Sequence, residues 1–346
     1  MDIQEFLVNQ VSTIKDAMEA MDKTGRGIVY IVANNKLVGS LSDGDIRRWV
    51  LKDNDIHAKV TEAMHRNPLY VYDKDFNKVN AIFKDKLGIN SIPVLNKDQS
   101  VQTIVFREFD QIHKKPLDVP VVIMAGGKGT RLYPYTKILP KPLIPIGDTP
   151  IVERIIDRFN KFGCRHFLMS VNYKKNMIKS YFNDIEPDYT ISFVEEEKPL
   201  GTGGSLSLMK DKLNETFFVS NCDILIDADY TSIYDFHKEN NHGVTMVASI
   251  KNTVIPYGVL KLDDEGYLES TEEKPEYTHL INTGMYVLEP SILDLVPDNE
   301  FSDLPTIISE AKKQGYKIGV YPVSEKSWLD MGQIKEMENM IDSLGV

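Results

Sequence analysis

Met124-Ala125-Gly126-Gly127-Lys128-Gly129-Thr130-Arg131-Leu132, with Leu139-Pro140-Lys141-Pro142-Leu143 close behind it, continues the apolar run Val119–Met124. Three glycines within four positions let a backbone approach a phosphate closely and point N–H groups at it. The spacing is not GxxxxGK[ST], nor a GxGxxG running into a helix. The glycine turn leads instead into a proline-rich stretch, which cannot form a long helix. From Val121 to Gly147 there is no acidic residue, yet Lys128, Arg131, Lys137 and Lys141 all fall there. The surroundings have the opposite sign: residues 116–346 carry a net charge of −12, against +1 for residues 1–115. A positive pocket inside a negative domain points to a local anion site, most simply for a polyphosphate.

Outward from this turn the pattern alternates between strand and helix. Val119–Met124, His166–Val171, Thr190–Glu195 and Phe217–Ser220 read as strands. Pro150–Phe162, Met177–Phe182, Gly203–Leu213 and Thr231–Glu239 read as helices between and after them, and Val244–Ile250, Gly258–Leu262 and Ile281–Leu288 as later strands. Such alternation predicts an α/β domain with a mostly parallel, Rossmann-like sheet covered on both faces. Ligands of open α/β sheets bind beyond the carboxyl ends of the strands. Asp223 stands at such an end, in Phe218-Val219-Ser220-Asn221-Cys222-Asp223.

The run from Met124 to Leu143 resembles the LAGGxGTRLxPxTxxxPKPL signature of sugar-1-phosphate nucleotidyltransferases, and the resemblance covers about the last two-thirds of the chain. It implies that the loop Ala125, Gly126, Gly127, Gly129 and Thr130 wraps a nucleoside triphosphate. Arg131 would grip the leaving β,γ-phosphates and Lys141 the α-phosphate. Cys222-Asp223 stands where the family has Gly-Asp, and Trp328-Leu329-Asp330-Met331-Gly332 resembles its W-x-D-x-G. Asp223 and Asp330 are thereby implied to hold Mg²⁺, a cation that takes a few carboxylates plus phosphate oxygens and water. Glu273-Lys274-Pro275 resembles the family's EKP, whose lysine binds the sugar phosphate and whose glutamate a sugar hydroxyl, and Tyr257-Gly258-Val259 would present backbone at Gly258 to the sugar. Glu197-Lys198-Pro199-Leu200-Gly201-Thr202 resembles its E-x-P-L-G-T loop, which places Glu197, Gly201 and Thr202 at the nucleotide. Glutamates 195–197 favour GTP, because guanine offers two adjacent N–H donors to a carboxylate and uracil or thymine offers one between two carbonyls. The architecture resembles CBS-containing guanylyltransferases that make GDP-linked amino sugars, which implies glucosamine 1-phosphate as the acceptor. A uridylyl- or thymidylyltransferase, a non-catalytic sensor of sugar nucleotides and a scaffold built on the N-terminal domain are the competing readings.

The first 110 residues contain a weak repeat at an offset of 63, pairing Gly25 with Gly88 and Val29 with Ile92. The first copy predicts helix Thr13–Met21, strands Ile28–Val32 and Leu37–Leu41 around Asn34-Asn35, and helix Asp43–Leu51. The second predicts helix Asn77–Lys86 and strands Ser91–Leu95 and Val101–Val105. One copy is too small to bury its own apolar face, so the two should pack together. The run from Leu37 to Ile46 resembles a CBS motif, and two copies a small α+β CBS pair. The resemblance implies an adenine nucleotide whose ribose is held by Ser42 and Asp45. The second copy departs from that pattern, with Val105 and Glu108 in those places. The expected division is a CBS pair over 1–115, a polar linker near Asp110–Pro120, and a catalytic domain over 119–346.

Composition narrows the partners. With 42% apolar residues the chain can fill two cores, and its net charge of −11 does not suit a nucleic-acid backbone or an anionic membrane. No apolar run approaches the roughly 20 residues needed to span a bilayer. The acidic start Met1-Asp2-Ile3-Gln4-Glu5 does not read as a secretory signal. Two cysteines without CxxC spacing suit a reducing cytoplasm. Family habit implies a homo-oligomer. No HExxH or HxxxH spacing occurs, and the histidines read as surface or packing residues.

Overall fold

The computed structural model describes residues 2–52, 55–86, 89–107, 116–185 and 187–345. The chain divides into two compact units, Met1–Lys115 and Pro116–Val346. Gly88 and Glu108 of the second repeat copy, and residues 110–115 of the expected linker, lie outside the described residues.

In the first unit Thr13 opens the helix Ile14–Thr24 with a reciprocal cap. Its hydroxyl accepts from the Asp16 N–H at 3.2 Å, and the Asp16 carboxylate accepts from the Thr13 N–H at 2.7 Å. Gly25 closes the helix at φ +64°, a conformation that costs glycine no Cβ clash. Asn34 and Asn35, at φ 48° and 63°, make the tight turn between Ile28–Ala33 and Lys36–Ser42. The repeat is visible in the strand registers. Val8 pairs parallel with Ile31, and Val71 pairs parallel with Val94, the same partners 63 residues on. Each parallel pair then adds an antiparallel strand, Lys36–Ser42 in one copy and Val101–Phe106 in the other. A buried hydrogen bond of 2.8 Å between the Tyr30 hydroxyl and Ser91 Oγ joins the copies.

The second unit is built on seven strands: β1 Val121–Ala125, β2 His166–Val171, β3 Thr190–Glu195, β4 Phe217–Asn221, β5 Val244–Val254, β6 Glu276–Leu288 and β7 Ile318–Ser324. Their order across the sheet is β3-β2-β1-β4-β6-β5-β7. β3, β2, β1 and β4 run parallel, β6 runs antiparallel to both neighbours, and β5 and β7 are parallel again. Every residue of β1 is buried, as expected of a strand covered on both faces. One face packs Ile155, Phe159, Phe167, Phe218 and Tyr230; the other packs Leu168, Leu206, Phe217, Leu304 and Ile307. Burying side chains of this size is worth roughly 1.5–3 kcal/mol each. Among the described residues no helix is long and apolar enough to cross a membrane. Cys164 and Cys222 are both free and buried, and burial pushes each thiol up to about 12.

One expected helix differs. Gly203–Leu213 is a single α-turn, Gly201–Gly204, followed by the 3₁₀ run Ser205–Lys212. The glycines explain it. A Cβ on Gly204 would lie 2.1 Å from the Glu300 carbonyl, and one on Gly203 2.9 Å from Leu304 N. Close approach of two backbones, rather than helix propensity, dictates this segment.

Candidate functional site

The site is assembled where β1 and β4 end. After β1 the chain turns at Gly126 and Gly127 and reaches Gly129 at φ +63°. A Cβ on Gly129 would lie 2.9 Å from Thr136 Cγ2 and 3.0 Å from Lys141 Cβ, so only glycine lets the loop close on the segment it precedes. Thr136 Oγ1 donates to the Gly129 carbonyl at 2.8 Å and fastens that closure. Between them the chain makes short turns, Thr130–Leu132, Tyr135–Ile138 and Lys141–Leu143, consistent with the expectation that no long helix forms. Lys128 and Arg131 are exposed. Lys141 is not: it is 8% exposed, and its ammonium donates to the Asp223 carboxylate.

A small ribbon brings the two aspartates together. Ile224–Ile226 pairs antiparallel with Trp328–Asp330, setting Ile224 opposite Asp330. Met331 N–H donates to the Asp223 carbonyl at 2.8 Å. A Cβ on Gly332 would lie 2.9 Å from an Asp330 carboxylate oxygen, which accounts for the glycine two residues on. Burial raises the Asp330 carboxyl above its ordinary range, the Asp223 charge raises it further, and Lys141 and Arg131 pull it down. Asp223 and the two cations of the glycine-turn segment therefore all act on Asp330. No group of three or more His, Cys, Asp or Glu side chains suited to a metal occurs among the described residues. Asp223, bonded to the buried Lys141 ammonium, and Asp330, which feels the charge of both, fit a hard divalent cation that takes its other ligands from phosphate and water.

The other expected residues fall in different settings. Gly258 and Glu273 face each other in the antiparallel hairpin Gly258–Leu262/Leu268–Glu273, with Lys274 just beyond at φ +49°. All three are exposed. Gly201 takes φ +76°, and the Thr202 hydroxyl accepts at 3.2 Å from the N–H of Leu304, the first residue of the helix Leu304–Lys313, whose N-cap is Asp303. Glu197 is exposed, whereas its neighbour Glu196 is 5% exposed. Glu196 accepts from Ser170 Oγ and, at 3.0 Å, from the Leu200 N–H, and a Cβ on Gly126 would lie 2.5 Å from its carboxylate. Alternation was the available signal: in an extended chain Glu196 follows buried Val194 onto the same face. In the first unit Ser42 and Asp45 form a reciprocal cap on the helix Asp43–Val50. Asp45 accepts from the Ser42 hydroxyl at 2.6 Å and from Arg48 at 2.5 Å.

Residues 120–344 match the nucleotidyl transferase family, and residues 3–52 match the CBS domain. A mannose-1-phosphate guanylyltransferase of Mycobacterium tuberculosis is 34% identical over 227 residues, covering 62% of this chain and 61% of its own. A mannose-1-phosphate guanyltransferase of Candida albicans is 33% identical over 228 residues, with the same coverage, so the chain spans about 61% of the length of these relatives. Among solved structures, HddC from Yersinia pseudotuberculosis superposes with a TM-score of 0.52 at 24% identity, over 65% of this chain and 99% of that one. The same protein complexed with GMP-PN gives the same score.

Proposed function

This chain belongs to the nucleotidyl transferase family, and we propose that it transfers a nucleoside monophosphate from a nucleoside triphosphate to a sugar 1-phosphate. The observation that carries this reading is the meeting of Lys141, Asp223 and Asp330 beside the glycine turn. A sugar-phosphate oxygen attacks the α-phosphorus, the bond from that phosphorus to the α,β-bridging oxygen breaks, and pyrophosphate leaves carrying that oxygen. The nucleophile is already an anion, so no proton need be removed from it. What the protein supplies is position and charge. The turn Ala125–Thr130 offers backbone N–H groups to the triphosphate, and exposed Arg131 meets the departing phosphates. Lys141 stabilises charge developing at the α-phosphate. Lys274 holds the phosphate of the sugar phosphate, Glu273 a sugar hydroxyl, and the backbone at Gly258 faces the sugar. Mg²⁺ on Asp223 and Asp330 would offset the repulsion between the two anionic substrates.

GTP is the proposed donor and glucosamine 1-phosphate the proposed acceptor. Likeness to mannose-1-phosphate guanylyltransferases supports the base, and so does Glu196. Each of its oxygens accepts one hydrogen bond, from Ser170 or from Leu200, and an ionised carboxylate oxygen can accept a second, as the adjacent donors of guanine would require. Charge-assisted bonds of this kind are worth about 1.5–3 kcal/mol each. Glu196→Gln should therefore lower kcat/KM for GTP by roughly 10–10² while changing the value for UTP far less. Measuring both nucleotides with both proteins decides it; an equal loss for GTP and UTP would make Glu196 only a support for its loop.

The N-terminal unit is proposed to bind an adenine nucleotide at Ser42 and Asp45 and to modulate turnover, within a homo-oligomer. Coupling of about 1–3 kcal/mol would change the response several-fold to about a hundredfold. Asp45→Ala should abolish calorimetric binding of AMP or ATP to the full chain and leave basal turnover intact. Because Asp45 also caps a helix, the variant should lose about 0.5–2 kcal/mol of local stability as well. Undiminished AMP and ATP binding would leave Asp45 with the cap alone.

A further inference from the structure

We propose that the turn Asn172-Tyr173-Lys174, which leaves the carboxyl end of β2, is the positioning element of the phosphate-gripping loop, with Lys174 its principal residue; this rests on the reading of the site given above. Three consecutive residues fasten three separate segments. Asn172 Nδ2 donates to the Glu196 carbonyl at 2.7 Å, holding the loop after β3. The Tyr173 N–H donates to the Gly126 carbonyl at 3.4 Å, and the Tyr173 hydroxyl to the Thr136 carbonyl at 3.3 Å. The Lys174 ammonium donates to the carbonyls of Lys137 and Ile138, each at 2.6 Å. Those carbonyls end the one-turn helix Tyr135–Ile138, where helix carbonyls lack partners of their own.

The connection to the reacting groups is short. Lys174 holds residues 137 and 138, next to Thr136, whose hydroxyl ties down Gly129. Gly129 packs directly on the Lys141 side chain, and Lys141 reaches Asp223. Lys174 itself sits at φ +51°, a backbone conformation that a side chain other than glycine seldom adopts, directly before the helix Lys175–Asn183. A partly exposed lysine bonded to two carbonyls at the surface adds little to global stability, because water replaces it readily. It adds more to geometry, since displacement of a reacting group by about 1 Å can cost on the order of 10² in rate.

Lys174→Met should therefore lower kcat about tenfold, leave the KM for GTP within twofold, and leave the melting temperature unchanged. Lys174→Arg, which keeps a donor at the same carbonyls, should recover most of the rate. In parallel, backbone amides from Thr136 to Leu139 should exchange with deuterium about tenfold faster in Lys174→Met. A rise in KM alone would make Lys174 a direct anion contact and overturn the proposal. So would a loss of rate matched by a loss of melting temperature that Arg does not restore, or unchanged kinetics. If the wild-type chain proves inactive with every substrate pair, the reading of the site fails. The clamp is then decided by exchange, and unchanged amide rates overturn it.

Discussion

Asp223→Asn and Asp330→Asn are each expected to lower kcat by roughly 10²–10⁴ while the protein stays folded. The physical case rests on crowding. Asp330 is raised by burial and then by Asp223, so the folded protein holds two carboxylates closer than they would choose. Such an arrangement costs stability, and Asp330→Asn relieves it, whereas Asp223→Asn also leaves the buried Lys141 ammonium without its partner. In Asp330→Asn the melting temperature should hold or rise slightly as activity collapses. That opposition separates a site built for a cation from a pair kept for structure, which would lose both together. Direct Mn²⁺ binding in the presence of GTP should weaken in both variants. Near-wild-type rates would remove the metal assignment.

Lys141→Ala is expected to lower kcat by roughly 10²–10³, the scale of losing one preorganised charge beside the reacting phosphate. Lys141 is buried and paired with Asp223, so the alanine variant leaves a half-buried carboxylate without its partner. Breaking such a pair from one side can cost about 3–5 kcal/mol. A second variant keeps the two effects apart. In Lys141→Ala/Asp223→Asn the unpaired charge is gone, so the melting temperature should recover while turnover stays lost. If Lys141→Ala changed KM and left kcat intact, Lys141 would bind ground and transition state alike.

What could be read from residue order was whatever is local and repeated. The strands β1 to β4 are short apolar runs, and the glycine turn declares itself within one window of nine residues. The CBS-like registers follow an offset visible in the chain itself. The ribbon of Ile224–Ile226 and Trp328–Asp330 was not readable, because each strand is three residues long and the partners lie about a hundred residues apart. Asp223 and Asp330 were reached through resemblance, and only the fold shows why they meet. Asp330 lies opposite Ile224, one residue past Asp223. Charge alone does not separate Glu196 from Glu197; burial does. The hydroxyls of Thr202 and Ser42, both expected at ligands, also hold helix starts, a role that depends on the fold around them. Lys174 carried no signal at all, since its partners are carbonyls, which every residue has.

The most direct test of the account is a matrix of nucleoside triphosphates against sugar 1-phosphates, run on the full chain with Mg²⁺ and read as pyrophosphate released and nucleotide sugar formed. The account predicts stoichiometric release of both products, with GTP giving the highest kcat/KM and glucosamine 1-phosphate the preferred acceptor. A lead for UTP or dTTP would overturn the base and leave the reaction standing. Absence of pyrophosphate from every pair, with sugar nucleotides still bound, would contradict the central claim and leave a sensor in place of an enzyme.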